Sequence, residues 1–589
     1  MEFIAHNLAP IMFAGLICFL LVGFPVAFSL GACGLFFAFI GIELNVLPEA
    51  LLQALPLRIY GIMQNDTLLA IPFFTLMGLI LERSGMAEDL LDTIGQLFGP
   101  IRGGLALAVI FVGALLAATT GVVAASVISM GLISLPIMLR YGYDRRLAAG
   151  VIAASGTLAQ IIPPSLVLII IADQLGRSVG DMYKGAFLPG LMLTGFYALY
   201  VILLAVIKPQ WVPALPPEAR TLREDNGKSG VPSLLVLTAI CTAASIYVAK
   251  NMPALHTWWS GEAVDKVALD ETIVVSMCFG VALAFVAASF NKITRLGLLS
   301  RAAERVTFAL IPPLLLIFLV LGTIFLGVAT PTEGGAMGAL GAIVMAVIRG
   351  RLSMSLLTQA LNTTTKLSCF VVFILVGATI FGLTFQGVDG PLWVEHLLSG
   401  LPGGQLGFLI VVNIMVFFLA FFLDFFELSF IVVPLLAPVA DKLGIDLIWF
   451  GVLLAINMQT SFMHPPFGFA LFYLRSVAPA KEYMDKVTKK MIAPVTTTQI
   501  YWGAIPFLCI QILMVALVIT FPGIVSSGLD KAEVYDLDKV RLEMEANMPA
   551  PMEQADPTAG MPGSEAPAAE DDPLKAMQES LSQDAEKKN

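Results

Sequence analysis

The chain is short of charge. Asp, Glu, Lys and Arg make up 13% of its 589 residues, about half the usual share. A soluble protein of this size could not cover its surface with so few charges. Histidine is also scarce (His6, His256, His396, His464), and the six cysteines (Cys18, Cys33, Cys241, Cys278, Cys369, Cys509) lie singly in apolar runs. With no Cys-x-x-Cys, neither a disulfide framework nor a zinc site is supported, and scattered histidines argue against a transition-metal cluster. HExxH and GxSxG are missing and Asp424 lies in no GxGD, which leaves an enzyme reading only scattered polar residues. Gly227-Lys228-Ser229 resembles the end of a phosphate loop. Leu222, however, stands where that loop begins, in a polar linker, so ATP does not power this chain.

What the chain has in quantity is hydrocarbon. Apolar residues are 58% of the total, mean hydropathy is +0.88, and the sequence is that of a polytopic membrane protein. The net charge of −10 belongs almost wholly to residues 528–589, which hold 15 acids and 6 bases. That stretch reads as a disordered acidic tail and says nothing about a substrate. The N-terminus lacks a basic region and a cleavage site, so its first apolar stretch is expected to stay as a membrane helix.

Apolar runs long enough to cross ~30 Å of hydrocarbon are read near 8–24, 25–42, 64–82, 184–208, 231–249, 271–290, 306–328, 331–349, 367–386 and 493–521. Segments 104–139, 147–173, 405–441 and 447–473 are apolar too, but Gly, Pro or polar residues interrupt each. Only helices satisfy the backbone in lipid here, so the fold class is all-α. Lys and Arg cluster in the loops 140–146, 208–228, 291–305, 349–351 and 475–490. Placing these in the cytoplasm leaves both termini outside, periplasmic for an inner-membrane protein.

An internal repeat organises the rest. Pro136, Gly142 and Asp144 match Pro438, Gly444 and Asp446 at an offset of 302. Pro163-Pro164 falls on Pro465-Pro466 at the same offset, each after a polar run. Loop charge places the Arg140 loop inside and its counterpart at Lys442 outside, so the halves are inverted. The expected layout is a first repeat over 1–210 (hairpin about 104–139, broken helix about 147–173). A linker with two connecting helices follows over 211–305, then a second repeat over 306–525 (hairpin about 405–441, broken helix about 447–473). Inverted repeats with discontinuous helices are the mark of secondary transporters, whose ligands bind where broken helices meet.

The candidate site residues lie at those interruptions. In half one they are Thr119, Thr120, Gly121 and Ser126 at the hairpin tip, then Ser155, Gly156, Thr157, Pro163 and Pro164. Pro-Pro frees upstream carbonyls, which with hydroxyls make hard oxygen ligands for a small cation. Helix packing by small residues is the alternative, and for Thr119 and Thr120 neither reading prevails. In half two, Asp424 and Glu427 are two acids in an apolar stretch, which marks a functional site by default. A helix cap is the competing explanation. Asn457, Gln459, Thr460, Ser461 and His464 precede Pro465 and Pro466, His464 being as readily a hydrogen-bonded structural residue as a ligand. Thr330 or Thr332 is read as a helix cap with Glu333 in the first turn, and Pro25 as its rough counterpart in half one.

Several of these motifs are family-like. Leu423-Asp424-Phe425-Phe426-Glu427, the run from Gly451 to Asn457, the run from Gln459 to Ala470, Ala329 to Gly334 and Gly156 to Ser165 resemble the large membrane subunit of tripartite ATP-independent periplasmic (TRAP) transporters. The resemblance spans about 8–525. It implies an elevator-type carrier of the ion-transporter superfamily, driven by Na+, with a small four-helix membrane subunit and a periplasmic solute-binding protein as partners. It implies a small organic acid as substrate, and the hairpin tips and breaks as its binding place. Na+ ligands are expected among Ser155, Gly156, Thr157, Asn457 and Thr460. The chain departs from the family at its first hairpin, where many members have Gly-x-Ser-Gly-Ser, and at Met463-His464, where many have Leu-Thr. The small subunit is not expected to be fused, since no four-helix block precedes residue 8. The rival readings are a stand-alone sodium–anion symporter and a non-transporting scaffold or receptor.

Overall fold

In the computed structural model the described residues are 2–121, 123–222, 230–261, 267, 269–485 and 487–529. Beyond Leu529 the predicted disordered tail lies outside them. Among the described residues nine helices are long and apolar enough to cross a membrane, or eleven when each of two bent pairs counts as one span. The chain opens with α1 (Glu2–His6), α2 (Leu8–Val22) and α3 (Val26–Glu43). Gly23, at φ 88°, closes α2 in the left-handed conformation that favours glycine, and Pro25 fixes the turn into α3. After α4 (Leu55–Met63), α5 (Ala70–Arg83) and α6 (Met86–Phe98) come the hairpin α7 (Gly104–Thr120) and α8 (Val123–Arg140). The first broken helix is α9 (Arg145–Thr157) with α10 (Leu166–Gln174), followed by α11 (Val179–Ile207).

The connecting helices α12 (Val231–Lys250), α13 (Met252–Ser260) and α14 (Leu269–Thr294) lead to α15 (Arg301–Phe325), α16 (Pro331–Ile348), α17 (Met354–Gly387) and α18 (Gly390–Ser399). A second hairpin, α19 (Gly404–Leu419) and α20 (Phe425–Lys442), precedes the second broken helix, α21 (Leu447–Ser461) and α22 (Phe469–Val477). A two-stranded ribbon, β1 (Tyr483–Met484) and β2 (Met491–Ile492), pairs antiparallel with Tyr483 opposite Ile492. Then α23 (Thr497–Thr520) and α24 (Gly523–Ser526) complete the described chain. The ten expected crossings all fall on helices. The sequence reading had no element at α4, α6 or α18. These are short, and α6 carries Glu88, Asp89 and Asp92, which hides it from a search for long apolar runs.

Like positions of the two halves are built alike. Asp144 accepts hydrogen bonds from the Arg146 and Leu147 N–H groups at the start of α9. Asp446 does the same for Trp449 at the start of α21, so the repeated aspartate is a helix cap. Thr330, not Thr332, caps α16 in a reciprocal box with Glu333, while the Thr332 hydroxyl donates to the Asp66 carbonyl across the fold. α3 packs along α17, and α5 along α16. The broken helices form the dry centre, every residue from Leu147 to Ala172 being buried. By contrast α12 and α14 turn most of their surface outward, as helices facing acyl chains do.

Two ion pairs link the halves. Arg140, ending α8, holds Asp485 in the loop beyond α22 at 3.0 Å, and Asp441, near the end of α20, faces Arg177 beyond α10 at 3.9 Å. The base of each hairpin thus sits beside the far end of the other half's broken helix. Since each broken helix carries the chain to the opposite side, the two hairpins enter from opposite faces. Cysteines replacing the exposed Arg146 and Lys442, in a cysteine-free background, should react with an impermeant maleimide from opposite sides; labelling of both from one side would overturn this topology.

Asp485 is also a pH marker. Burial pushes its carboxyl up, but the Thr488 N–H and hydroxyl and the Arg140 guanidinium outweigh that and hold it at about 2. A depressed carboxyl contributes stability above its unfolded value of about 3.9 and loses it as pH falls towards the folded value. Asp485 therefore stays ionised beside Arg140 throughout the neutral range.

Candidate functional site

The helix α9 ends at Thr157 and passes through a 3-10 turn, Leu158–Gln160, before the cis Pro163–Pro164 bond. Ser165 then caps α10, accepting from the Leu168 N–H and donating to the Gln160 carbonyl. In half two α21 ends at Ser461, and the chain turns through His464 to the cis Pro465–Pro466 bond. The two breaks meet at one point. Gln459 Nε2 donates to Thr157 Oγ1 at 3.1 Å, and these two residues occupy the same position in the two repeats, 302 apart. The pseudo-two-fold axis therefore runs between them. Gln511 Nε2, from α23, reaches the same hydroxyl at 3.4 Å and Tyr197 Oη at 2.9 Å. Thr157 Oγ1 itself donates to the Ala154 carbonyl at 2.8 Å.

This bonding changes the expected role of Thr157. With its proton given to Ala154 and its lone pairs taken by two amides, its oxygen has nothing left for a cation. It is a tie between the halves. Thr460 and Ser461 also donate back, to the Asn457 and Met458 carbonyls, which leaves their hydroxyl oxygens able to accept. Asn457 Nδ2 donates to the Asn413 carbonyl at 2.8 Å. Ser155 is fully buried and its Oγ has no partner.

Such orphaned groups are rare in folded proteins and costly. Eight of the fourteen buried, unpartnered side-chain atoms among the described residues fall on Ser155, Gln160, Asn413, Gln459, His464 and Gln511. They surround the two breaks. Gln160, Asn413 and Gln511 were not among the sequence candidates, although Asn413 and Gln511 are lone polar residues in apolar spans, the signal that marks function in a membrane. His464 is no hydrogen-bonded structural residue, since neither imidazole nitrogen has a partner.

The two acids at the second tip resolve differently from the sequence preference. Asp424 is not inside a helix but is the N-cap of α20, and Glu427 is its third residue. Asp424 Oδ1 accepts from the Glu427 N–H, and Glu427 Oε2 from the Asp424 N–H, both at 2.9 Å. The pair is a reciprocal capping box, so each carboxylate is satisfied by backbone. At the first tip Gly121, at φ 57°, follows α7, and Ser126 is buried in the first turn of α8. Thr119 and Thr120 end α7, but their side chains lie outside the described residues.

The arrangement offers oxygen and amide ligands, no nucleophile with a base, and two helix breaks joined across an inverted repeat. Known proteins resemble the chain in sequence. The family described as tripartite ATP-independent periplasmic transporter, DctM component, matches residues 13–264 and 267–524. The C4-dicarboxylate TRAP transporter large permease protein DctM of Rhodobacter capsulatus is 27% identical over 481 residues, 79% of this chain and 89% of that one. The isethionate TRAP transporter permease protein DctMQ of Oleidesulfovibrio alaskensis is 26% identical, over 82% of this chain and 63% of that one. The sialic acid TRAP transporter large permease protein SiaM of Vibrio cholerae is 24% identical, over 85% and 94%. The chain belongs to the tripartite ATP-independent periplasmic transporters as a large permease subunit, an all-helical secondary transporter component and not an enzyme.

Proposed function

We propose that this subunit imports a small organic anion across the bacterial inner membrane, driven by an inward Na+ gradient. A periplasmic solute-binding protein delivers the anion, and a small four-helix membrane subunit completes the permease. The hairpins and broken helices move together as an elevator against the remaining spans. The observation that carries this reading is the cluster of buried, unpartnered polar atoms around the two facing breaks. Ser155 Oγ, the Gly156 carbonyl, the Asn457 side-chain carbonyl and the Thr460 hydroxyl are hard oxygen donors suited to Na+. The relatives' names, a C4-dicarboxylate, isethionate and sialic acid, have an anion in common. Uptake into proteoliposomes holding the complete complex should collapse when Na+ is replaced by choline at constant pH; unchanged uptake would sink the sodium coupling.

Asp424 tests whether the cap has a second role. Asn caps nearly as well as Asp, whereas Ala costs about 1 kcal/mol. Asp424→Asn should therefore keep folded yield while raising the Na+ concentration for half-maximal uptake severalfold. Superimposable sodium curves would leave Asp424 a helix cap alone.

A further inference from the structure

His464 is 2% exposed, and neither of its ring nitrogens has a hydrogen-bond partner. Its imidazole stands perpendicular to the Phe421 ring, centroids 4.1 Å apart, and 5.5 Å from Phe417. Phe467 stacks on Phe421 from the break side at 5.7 Å. The side chain thus bridges the second hairpin tip and the second helix break, enclosed by phenylalanines. An imidazole always carries at least one N–H donor, and burying a donor without an acceptor is unfavourable.

Nothing in the fold requires that donor. The turn is held by main chain, with the His464 N–H on the Thr460 carbonyl at 3.2 Å and the His464 carbonyl taking the Gly468 N–H at 2.8 Å. The position related to it by the repeat is Ile162, which serves an equivalent break without a polar side chain. No Lys or Arg occurs in 117–126, 155–165, 420–427 or 457–468, so His464 is the one side chain of the tips and breaks with a nitrogen that can be cationic. The two acids of the second tip, Asp424 and Glu427, are closed on each other's backbone N–H groups.

We propose that His464 donates a hydrogen bond to the anionic oxygen, carboxylate or sulfonate, of the transported molecule, and so selects it. This rests on the organic-anion reading above. Phe417 and Phe421 pack against the imidazole, and its orphaned N–H finds its acceptor only when the anion occupies the site. The main chain alone maintains the break.

The test uses the complete complex in proteoliposomes with labelled succinate, isethionate and N-acetylneuraminate under a Na+ gradient. If wild type takes up none of them, the organic-anion reading fails and this inference with it. On the anion that is taken up, His464→Leu should raise the half-saturating concentration at least about tenfold, with maximal rate and sodium half-saturation within about twofold. His464→Gln, which keeps a donor, should recover most of the loss. Thermal unfolding separates function from structure, because removing an orphaned buried donor should leave His464→Leu at least as stable as wild type. Unchanged uptake by His464→Leu overturns the proposal. So does a lowered unfolding temperature in both variants with half-saturation and maximal rate falling together.

Discussion

Gly503→Leu should abolish the folded permease, and Gly503→Ala should already lower its unfolding temperature sharply. A Cβ on Gly503 would lie 1.9 Å from the Arg146 carbonyl oxygen and 3.1 Å from the Gly150 nitrogen. The reverse contact is as close, a Cβ on Gly150 meeting the Gly503 oxygen at 2.1 Å. At this crossing α9 and α23 touch backbone to backbone, the use membranes make of small residues. Overpacking a core typically costs about 1–3 kcal/mol where side chains can move aside. Here the obstacle is main chain of the innermost broken helix, so relief requires parting the two halves. Gly195→Ala is the control: it lies in the middle of α11 with nothing within 4 Å of the new methyl group, and it should be neutral or slightly stabilising. Size-exclusion yield and unfolding temperature of the purified complex decide the matter. A Gly503→Ala protein that melts with wild type would remove the crossing from the account.

Thr157→Val is expected to be the most damaging nearly isosteric change at the site. It takes away the acceptor of two buried amides, Gln459 and Gln511. Hydrogen bonds between membrane helices average only about 0.6 kcal/mol. A buried donor left without a partner costs about 1–3 kcal/mol; Gln459 Nε2 is stranded here, while Gln511 Nε2 keeps its bond to Tyr197 Oη, so the stranding term at Gln459 dominates. Thr157→Ser keeps the hydroxyl and should be mild. The double variant Thr157→Val/Gln459→Leu removes the stranded donor with its acceptor, and it should melt above the sum of the single losses. Additive losses, or a Thr157→Val protein as stable as wild type, would show that the axis carries no such tie. Uptake should fall with stability in Thr157→Val and recover in Thr157→Ser.

The parts of this fold that a reader of the sequence could find are those written in proline and glycine. Pro163-Pro164 and Pro465-Pro466 cannot continue a helix, so the breaks and their offset of 302 were visible, and with them the repeat and the family. Positive charge in the loops suggested the inversion, and the Arg140–Asp485 and Arg177–Asp441 pairs set the base of each hairpin beside the other half. The site was only partly legible, because sequence gives residue type and spacing but not hydrogen-bond direction. Thr157 looks like an ion ligand until its lone pairs are found to be taken. Asp424 and Glu427 look like a shared helical face, whereas one residue lies outside the helix and the box closes between them. Gln511 is a single amide in a long apolar run, and only the packing of α23 on α9 gives it a partner.

The Arg140–Asp485 pair joins residues 345 positions apart. A ribosome adding about 5–20 residues each second needs roughly 17–70 s to make the second after the first. For that time the first hairpin and the Gly150 face of α9 wait in the bilayer without the helix that covers them. Completion of each half is thus delegated to the other, and the first half must last through most of its own translation as an unfinished surface. A nonsense mutation or ribosome stall between the two broken helices would leave no working half-transporter, only an uncovered groove for membrane proteases to find.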